Sequence, residues 1–66
     1  MKIYEKVCRI YNEHLQDLHR SKEQQFIEDM YEGLDGLGNI SDDDITEYLT
    51  PRQIAWINDI AVALNI

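Results

Sequence analysis

Apolar residues in this chain recur at intervals of three and four residues, and no run alternates apolar and polar residues. The first pattern is that of an amphipathic α-helix, and the second would have indicated a β-strand. The spacing therefore predicts an all-α fold, a small bundle of three main helices plus a short helix before the last. With 66 residues, the chain has the length for one helical domain, spanning 1–66.

The first predicted helix extends from Tyr4 to Leu18. One of its sides collects six residues that are expected to face the core: Tyr4, Val7, Cys8, Tyr11, Leu15 and Leu18. A lone cysteine on such a stripe usually behaves as a small hydrophobe, so Cys8 is expected to pack inside. One cysteine cannot form an internal disulfide, which favours a cytoplasmic protein.

The second predicted helix begins with a capping-box pattern, in which Ser21 is followed three residues later by Gln24. Five residues are expected on its buried side: Phe26, Ile27, Met30, Tyr31 and Leu34. Its pattern fades at Gly33 and Gly36. A turn through Gly36, Gly38 and Asn39 should follow, because Gly and Asn reach left-handed backbone angles at low cost.

Capping signals also delimit the second half of the chain. Ser41 precedes three aspartates and is expected to cap a short helix that reaches about Leu49. Thr50 and Gln53 form a second capping box around a proline, Pro51, at the first helical position. The buried side of this last helix should contain Ile54, Ile57, Ile60, Ala61 and Leu64, with Trp56 and Ala63 at its edge.

The segment Tyr48–Ile60, with the sequence YLTPRQIAWINDI, resembles a motif of small phage-encoded proteins of unassigned function. In those proteins a capped helix begins with Leu-Ser/Thr, continues through Lys/Arg-Gln and carries an aromatic residue followed by an apolar one. The upstream segment Glu23–Tyr31 resembles the helix that often precedes the motif. The resemblance covers roughly residues 23–64. It implies a two-helix packing unit of phage and mobile-element proteins, and it implies no reaction.

Charge is distributed unevenly along the chain, whose net charge is -7. Residues 1–22 have a small excess of bases, whereas residues 23–51 contain nine acids and no base. Direct binding to nucleic acid is disfavoured, because contacts to phosphates need Lys and Arg. The same acids would attract the basic groove of a partner protein and speed the encounter.

Three interpretations of this acidic segment stay open. It is a solvated face that keeps a small protein soluble, or a mimic of the phosphate backbone that occupies a nucleic-acid-binding protein, or a border to a partner site made of apolar and aromatic groups. The candidate partner-binding residues are the acids Asp29, Glu32, Asp35, Asp42, Asp43 and Glu47 and the aromatic residues Tyr31 and Trp56.

Catalytic and metal sites are not expected. His14 and His19 are five residues apart, so on a helix they would point to different sides and would not form a pair of zinc ligands. The segment 35–47 departs from a calcium loop, because Leu37 stands where an oxygen ligand belongs and Ile40 replaces the turn glycine. We expect no enzyme, no metal and no cofactor.

These observations favour a small cytoplasmic interaction protein that binds a basic nucleic-acid-handling protein of a phage or its host and inhibits or redirects it. The alternative is a structural or accessory subunit that acts as a homo-oligomer, such as a homodimer, in a phage or replication complex. No apolar run has the roughly 18 residues that a membrane span needs, so we expect no membrane association.

Overall fold

The computed structural model describes residues 1–66 and contains helices and turns but no strand. Its helical segments in chain order are α1 (Ile3–Arg9), a π-helical turn (Ile10–His14), a 3-10 turn (Leu15–Asp17), α2 (Ser21–Leu34), α3 (Asp42–Ile45) and α4 (Pro51–Ala63). The predicted all-α architecture is confirmed, because the first segment, α2 and α4 are the main helical elements and the short α3 precedes the last.

The core consists of a single cluster of buried residues, all of them apolar. Its members are Ile3, Val7, Ile10, Leu18, Phe26, Ile27, Leu34, Ile45, Leu49, Ile57, Ile60 and Ala61. The helix α1 contacts α2, α3 and α4. The first helix is therefore the element against which the rest of the chain packs.

The buried side of the first helical segment is shifted from the prediction by one position along the chain, so that Ile3 and Ile10 are buried in place of Tyr4 and Tyr11. Ile3, Val7 and Ile10 are buried. Four members of the predicted stripe are only half-buried at its edge: Tyr4, Cys8, Tyr11 and Leu15. An isoleucine side chain has no polar atom, so it can be buried completely. A tyrosine hydroxyl needs a hydrogen-bond partner or contact with solvent.

The first segment is also less regular than predicted. The helix expected to run to Leu18 loosens into the π-helical turn, tightens into the 3-10 turn, and reaches extended backbone at Leu18, with ψ 118°. A π-helical turn closes hydrogen bonds five residues apart and a 3-10 turn closes them three apart. No Gly or Pro occurs among residues 1–32, so the usual signals of a helix end are missing there.

The helix α2 begins at Ser21 without the predicted capping box. The Ser21 hydroxyl makes no capping bond, and Arg20 occupies the N-cap position in extended conformation. The Gln24 side-chain nitrogen instead donates a 2.9 Å hydrogen bond to the backbone oxygen of Leu18. Gln24 therefore ties the incoming loop to α2.

The turn after α2 follows the prediction at both glycines. α2 ends at Leu34, and Gly36 and Gly38 adopt positive φ angles of 88° and 71°. Asn39 does not adopt a positive φ. The chain then enters α3 through two half-buried residues, Ile40 and Ser41.

Both caps predicted in the second half are confirmed. The Ser41 hydroxyl accepts from the Asp44 amide at 3.2 Å. The Thr50 hydroxyl accepts from the Gln53 amide at 3.2 Å, and the Gln53 side chain accepts from the Thr50 amide at 2.9 Å. This reciprocal pair is a complete capping box, with a proline in the first turn of α4.

The C-terminal ends of α3 and α4 differ from the prediction or were not predicted. α3 ends at Ile45, four residues before the expected end near Leu49. α4 ends in a Schellman motif, in which the Ile66 amide donates to the Ala61 oxygen and Asn65 has a positive φ of 61°. This motif places Ile66 against the core.

The helices are short as well as amphipathic. None of them has the length and apolar content that crossing a membrane would require.

Candidate protein-interaction surface

The acids of α2 lie on its solvent side. Asp29 and Glu32 are exposed, one helical turn apart and opposite the buried side of the helix. The Gln25 side chain donates a 3.0 Å hydrogen bond to the Asp29 carboxylate. Asp35 follows at the C-cap position and is also exposed.

The acids of α3 and Glu47, which lies two residues after its end, are exposed too, but they do not have the same surroundings. A carboxylate oxygen of Asp42 accepts a 2.8 Å hydrogen bond from the backbone amide of Ile3, so Asp42 caps the start of α1. Asp43 and Glu47 make no side-chain hydrogen bond within the chain and lie four residues apart. These two carboxylates are therefore free to meet a partner, whereas Asp42 also serves the fold.

No cation of the chain neutralises this segment. The two ion pairs join Arg9 to Glu13 at 3.3 Å and His14 to Asp17 at 3.1 Å, and both lie in the first helical segment. Of the six acids predicted to bind a partner, five cap no other helix, and we define these five as the acidic surface: Asp29, Glu32, Asp35, Asp43 and Glu47.

The two candidate aromatic anchors take part in separate stacks. The Tyr31 ring is half-buried and lies on the Tyr11 ring, with centroids 3.9 Å apart and planes 4° from parallel. The Trp56 ring is 37% exposed and covers Phe26, with centroids 4.1 Å apart. The expectation that Trp56 lies partly outside the core is confirmed.

These stacks do not form one aromatic patch. Phe26 and Tyr31 are separated by roughly 140° around α2, so Trp56 packs against one edge of the helix and Tyr11 against the other. Tyr31 and Trp56 therefore lie in different parts of the molecule, and their predicted roles in partner binding stay predictions. Each ring fastens α2 to a different neighbouring element, which explains why most of Tyr31 is withdrawn from solvent.

Two more exposed side chains belong to the surface and were not predicted. Tyr48 is 53% exposed and directly follows Glu47 in the turn after α3. Val62 is 77% exposed on the outer side of α4. Val62 could have been found in the sequence, because it lies on the side of α4 opposite the predicted apolar stripe.

Two clefts open at the far end of the first segment. The larger, of about 550 Å³, is formed by 11–17 alone, and the smaller, of about 150 Å³, lies between α2 and the end of α4. Tyr11, Asn12, Glu13, Leu15, Gln16 and Asp17 line the first, and Asp17, Leu18, His19, Glu23, Ile60, Ala63 and Leu64 line the second. Neither contains a residue of the acidic surface.

The titratable groups of the first segment include one perturbed side chain. A hydrogen bond with the Cys8 thiol, helped by the charge interaction between these two groups, raises the pKa of Tyr4 above its ordinary value. Three or more histidine, cysteine or acidic side chains do not come together anywhere in a way that could hold a metal ion.

Comparison with known proteins identifies no relative of this chain. No family model matches the chain, and neither a curated protein nor a solved structure is similar to it. The resemblance of residues 23–64 to small phage proteins therefore stays a prediction.

Proposed function

We propose that this protein is a small acidic interaction module that binds a basic protein through the acidic surface. The partner that fits best is a protein that handles nucleic acid, because such a protein presents a groove of Lys and Arg. Occupying that groove would inhibit or redirect the partner. The observation that carries the proposal is that the carboxylates between residues 23 and 51 have no counter-cation within the fold.

The proposal depends on the negative charge of the acidic surface and on the number of its carboxylates. A single exposed ion pair is worth about 0.2–1 kcal/mol, so one carboxylate would not hold a partner. Five exposed carboxylates without a counter-cation act together on the approach of a basic surface and fix its orientation. The same acids repel nucleic acid itself, which supports a protein as the partner.

Tight binding also needs a desolvated contact, and Tyr48 offers one. The Tyr48 side chain is about half exposed, and Tyr48 follows Glu47 in the sequence. The aromatic ring and the Glu47 carboxylate therefore belong to the same turn after α3. Tyrosine is enriched among residues that dominate binding energy at protein interfaces. Tyr48 thus takes the place that the sequence had suggested for Tyr31.

The proposed setting is the cytoplasm of a bacterium, with a phage or mobile element as the source. A single free cysteine fits a reducing compartment. The resemblance of residues 23–64 to small phage proteins supports the source.

The test begins with capture of partners by the tagged protein from bacterial lysate treated with nuclease, with elution by increasing salt. We then expect the variant D43N/E47Q to bind the captured protein about tenfold more weakly, because two of the five carboxylates are lost. Asp42 is left intact, since its change would disturb α1.

The matched control is E5Q/D59N, which removes two exposed charges outside the acidic surface. Equal affinity of both double variants would show that the partner senses only net charge or an apolar contact. Recovery of the tagged protein alone, as a dimer or larger species, would favour the structural subunit.

A further inference from the structure

The outer side of α4 carries a stripe of its own. Four exposed residues are spaced three, four and three positions apart: Arg52, Ala55, Asp59 and Val62. At about 100° per residue they occupy roughly 80° of the helix circumference, directly opposite the buried side. We call these four residues the α4 stripe. Nothing else in the chain covers it, as the 77% exposure of Val62 shows.

The two charges of the α4 stripe have no partner within the molecule. Arg52 is the only base after residue 22, and neither Arg52 nor Asp59 takes part in an ion pair. They lie on the same side of the helix but two turns apart, about 10 Å along the axis. A direct pair within one helix is therefore excluded by distance.

We propose that the α4 stripe binds the α4 stripe of a second copy of this chain, with the two helices antiparallel. A two-fold axis then brings Arg52 of each copy within one turn of Asp59 of the other, so both charges acquire partners at once. The parallel arrangement would place Arg52 opposite Arg52 and Asp59 opposite Asp59. Charge complementarity thus selects the second copy and its direction.

The apolar members of the stripe fit this geometry. Ala55 lies near the middle of α4, where a small side chain lets two helix axes approach closely. Val62 supplies apolar area towards one end, and Trp56 and Ala63 flank the stripe on one side. Trp56 keeps an exposed part of its ring available beside its stack on Phe26.

The contact is small, which sets the strength to expect. A helix of 13 residues is about 20 Å long, and two such helices bury less area than a standard interface of about 1,600 Å². We expect a dissociation constant on the order of 100 µM. The dimer does not depend on the proposed function, because no residue of the acidic surface belongs to the stripe.

Sedimentation equilibrium of the full chain, up to about 1 mM, tests the proposal. The mass should rise from 7.8 kDa towards twice that value. R52D and D59R should each weaken the dimer about tenfold or more, because each turns two attractions into two repulsions. An equimolar mixture of the two variants should form a heterodimer, and the double swap R52D/D59R should restore the homodimer.

Control variants distinguish the pairing of Arg52 with Asp59 from two other causes of weaker dimerisation, which are a changed net charge and a loss of helical structure. K22D on α2 and E5R on α1 make the same charge changes at exposed positions outside both the stripe and the acidic surface, and they should leave the dissociation constant of the dimer within about threefold of the original. Circular dichroism checks that each variant keeps its helices. V62K, which replaces the 77% exposed apolar side chain of the stripe by a charged one, should also weaken the dimer.

A protein that stays monomeric at about 1 mM would overturn the proposal. So would charge-swap variants that dimerise as the original does, or a double swap that fails to dimerise. All these results leave the acidic surface untouched, so they are distinguishable from failure of the proposed function.

Discussion

Asp42 stabilises the beginnings of two helices, α3 and α1, and only its role in α3 can be read from the local sequence. It lies in the first turn of α3, where a negative charge is favourable. Its carboxylate also accepts the Ile3 amide at 2.8 Å and so satisfies one of the unpaired donors at the start of α1. The two residues are 39 positions apart, and no local pattern could have paired them.

Replacing Asp42 by alanine should lower the free energy of unfolding by about 1 kcal/mol more than replacing Asp43 by alanine. Both changes remove one charge from the first turn of α3, so the helix-dipole contribution cancels in the comparison. Only Asp42 holds the Ile3 amide. Urea unfolding followed by circular dichroism measures the difference, and equal losses would refute the capping role.

Tyr4 gives a second prediction at this scale, in the alkaline range. Its pKa is raised in the folded protein by the hydrogen bond with Cys8. Above the ordinary tyrosine pKa of about 10, the unfolded chain releases this proton before the folded one does. Folded-state stability from this group is therefore present below that pH and is lost as the pH rises through the folded pKa.

The measurement is a titration of tyrosinate absorbance. The tyrosine that ionises at the highest pH should disappear in Y4F, whereas Y48F should leave it in place because Tyr48 is exposed and makes no such bond. If the last step survives in Y4F, the bond between Tyr4 and Cys8 is not formed in solution.

At the scale of elements, the helices differ in how their ends are held. α4 has a complete capping box, whereas α2 begins at a serine that makes no capping bond. T50A should therefore lower the free energy of unfolding by about 1 kcal/mol, and S21A should change it by less than about 0.5 kcal/mol. Thermal and urea unfolding of the two variants compare the caps directly, and equal losses would contradict this difference.

The same contrast explains how much of the fold could be predicted. α4 was predicted almost residue by residue, because its cap, its proline and its apolar spacing all act within a few residues. The buried side of the first segment was predicted one position too far along the chain, because packing against the other helices decides whether Ile3 or Tyr4 is buried. No sequence signal predicts the π-helical turn, because it begins at an ordinary apolar residue, Ile10.

The candidate surface shows the same limit. Exposure of Asp29, Glu32 and Asp43 followed from their positions opposite apolar stripes. The separation of Tyr31 from Trp56 did not, because it depends on which neighbour packs against each edge of α2. Local periodicity places a residue on a side of its own helix, and only tertiary packing decides what that side meets.

For the whole molecule, the unpaired acids make a prediction about salt. The longest dimension of the protein is 30 Å, and the Debye length is about 30 Å at 0.01 M salt but only about 8 Å at 0.15 M. At low salt every carboxylate therefore repels the others across the molecule. We expect the free energy of unfolding to rise by about 0.5–1 kcal/mol between these two salt concentrations.

Urea unfolding at the two salt concentrations measures this rise. The variant D29N/E32Q should show a smaller rise, because it removes two of the repelling charges. A free energy of unfolding that falls with salt would mean that the ion pairs of the first segment outweigh the repulsion.

The central position of α1 also has a consequence for how the chain acquires its structure during translation. The contacts that enclose this helix come from far downstream, since Ile3 bonds to Asp42 and Lys6 bonds to Asn58, which is 52 residues away. In a nascent chain that still lacks α4, only α2 and α3 can cover the apolar side of the first helix, and the part that α4 covers stays exposed. We therefore expect folding to be completed only after α4 has emerged, and until then the exposed apolar side is a target for chaperones and proteases.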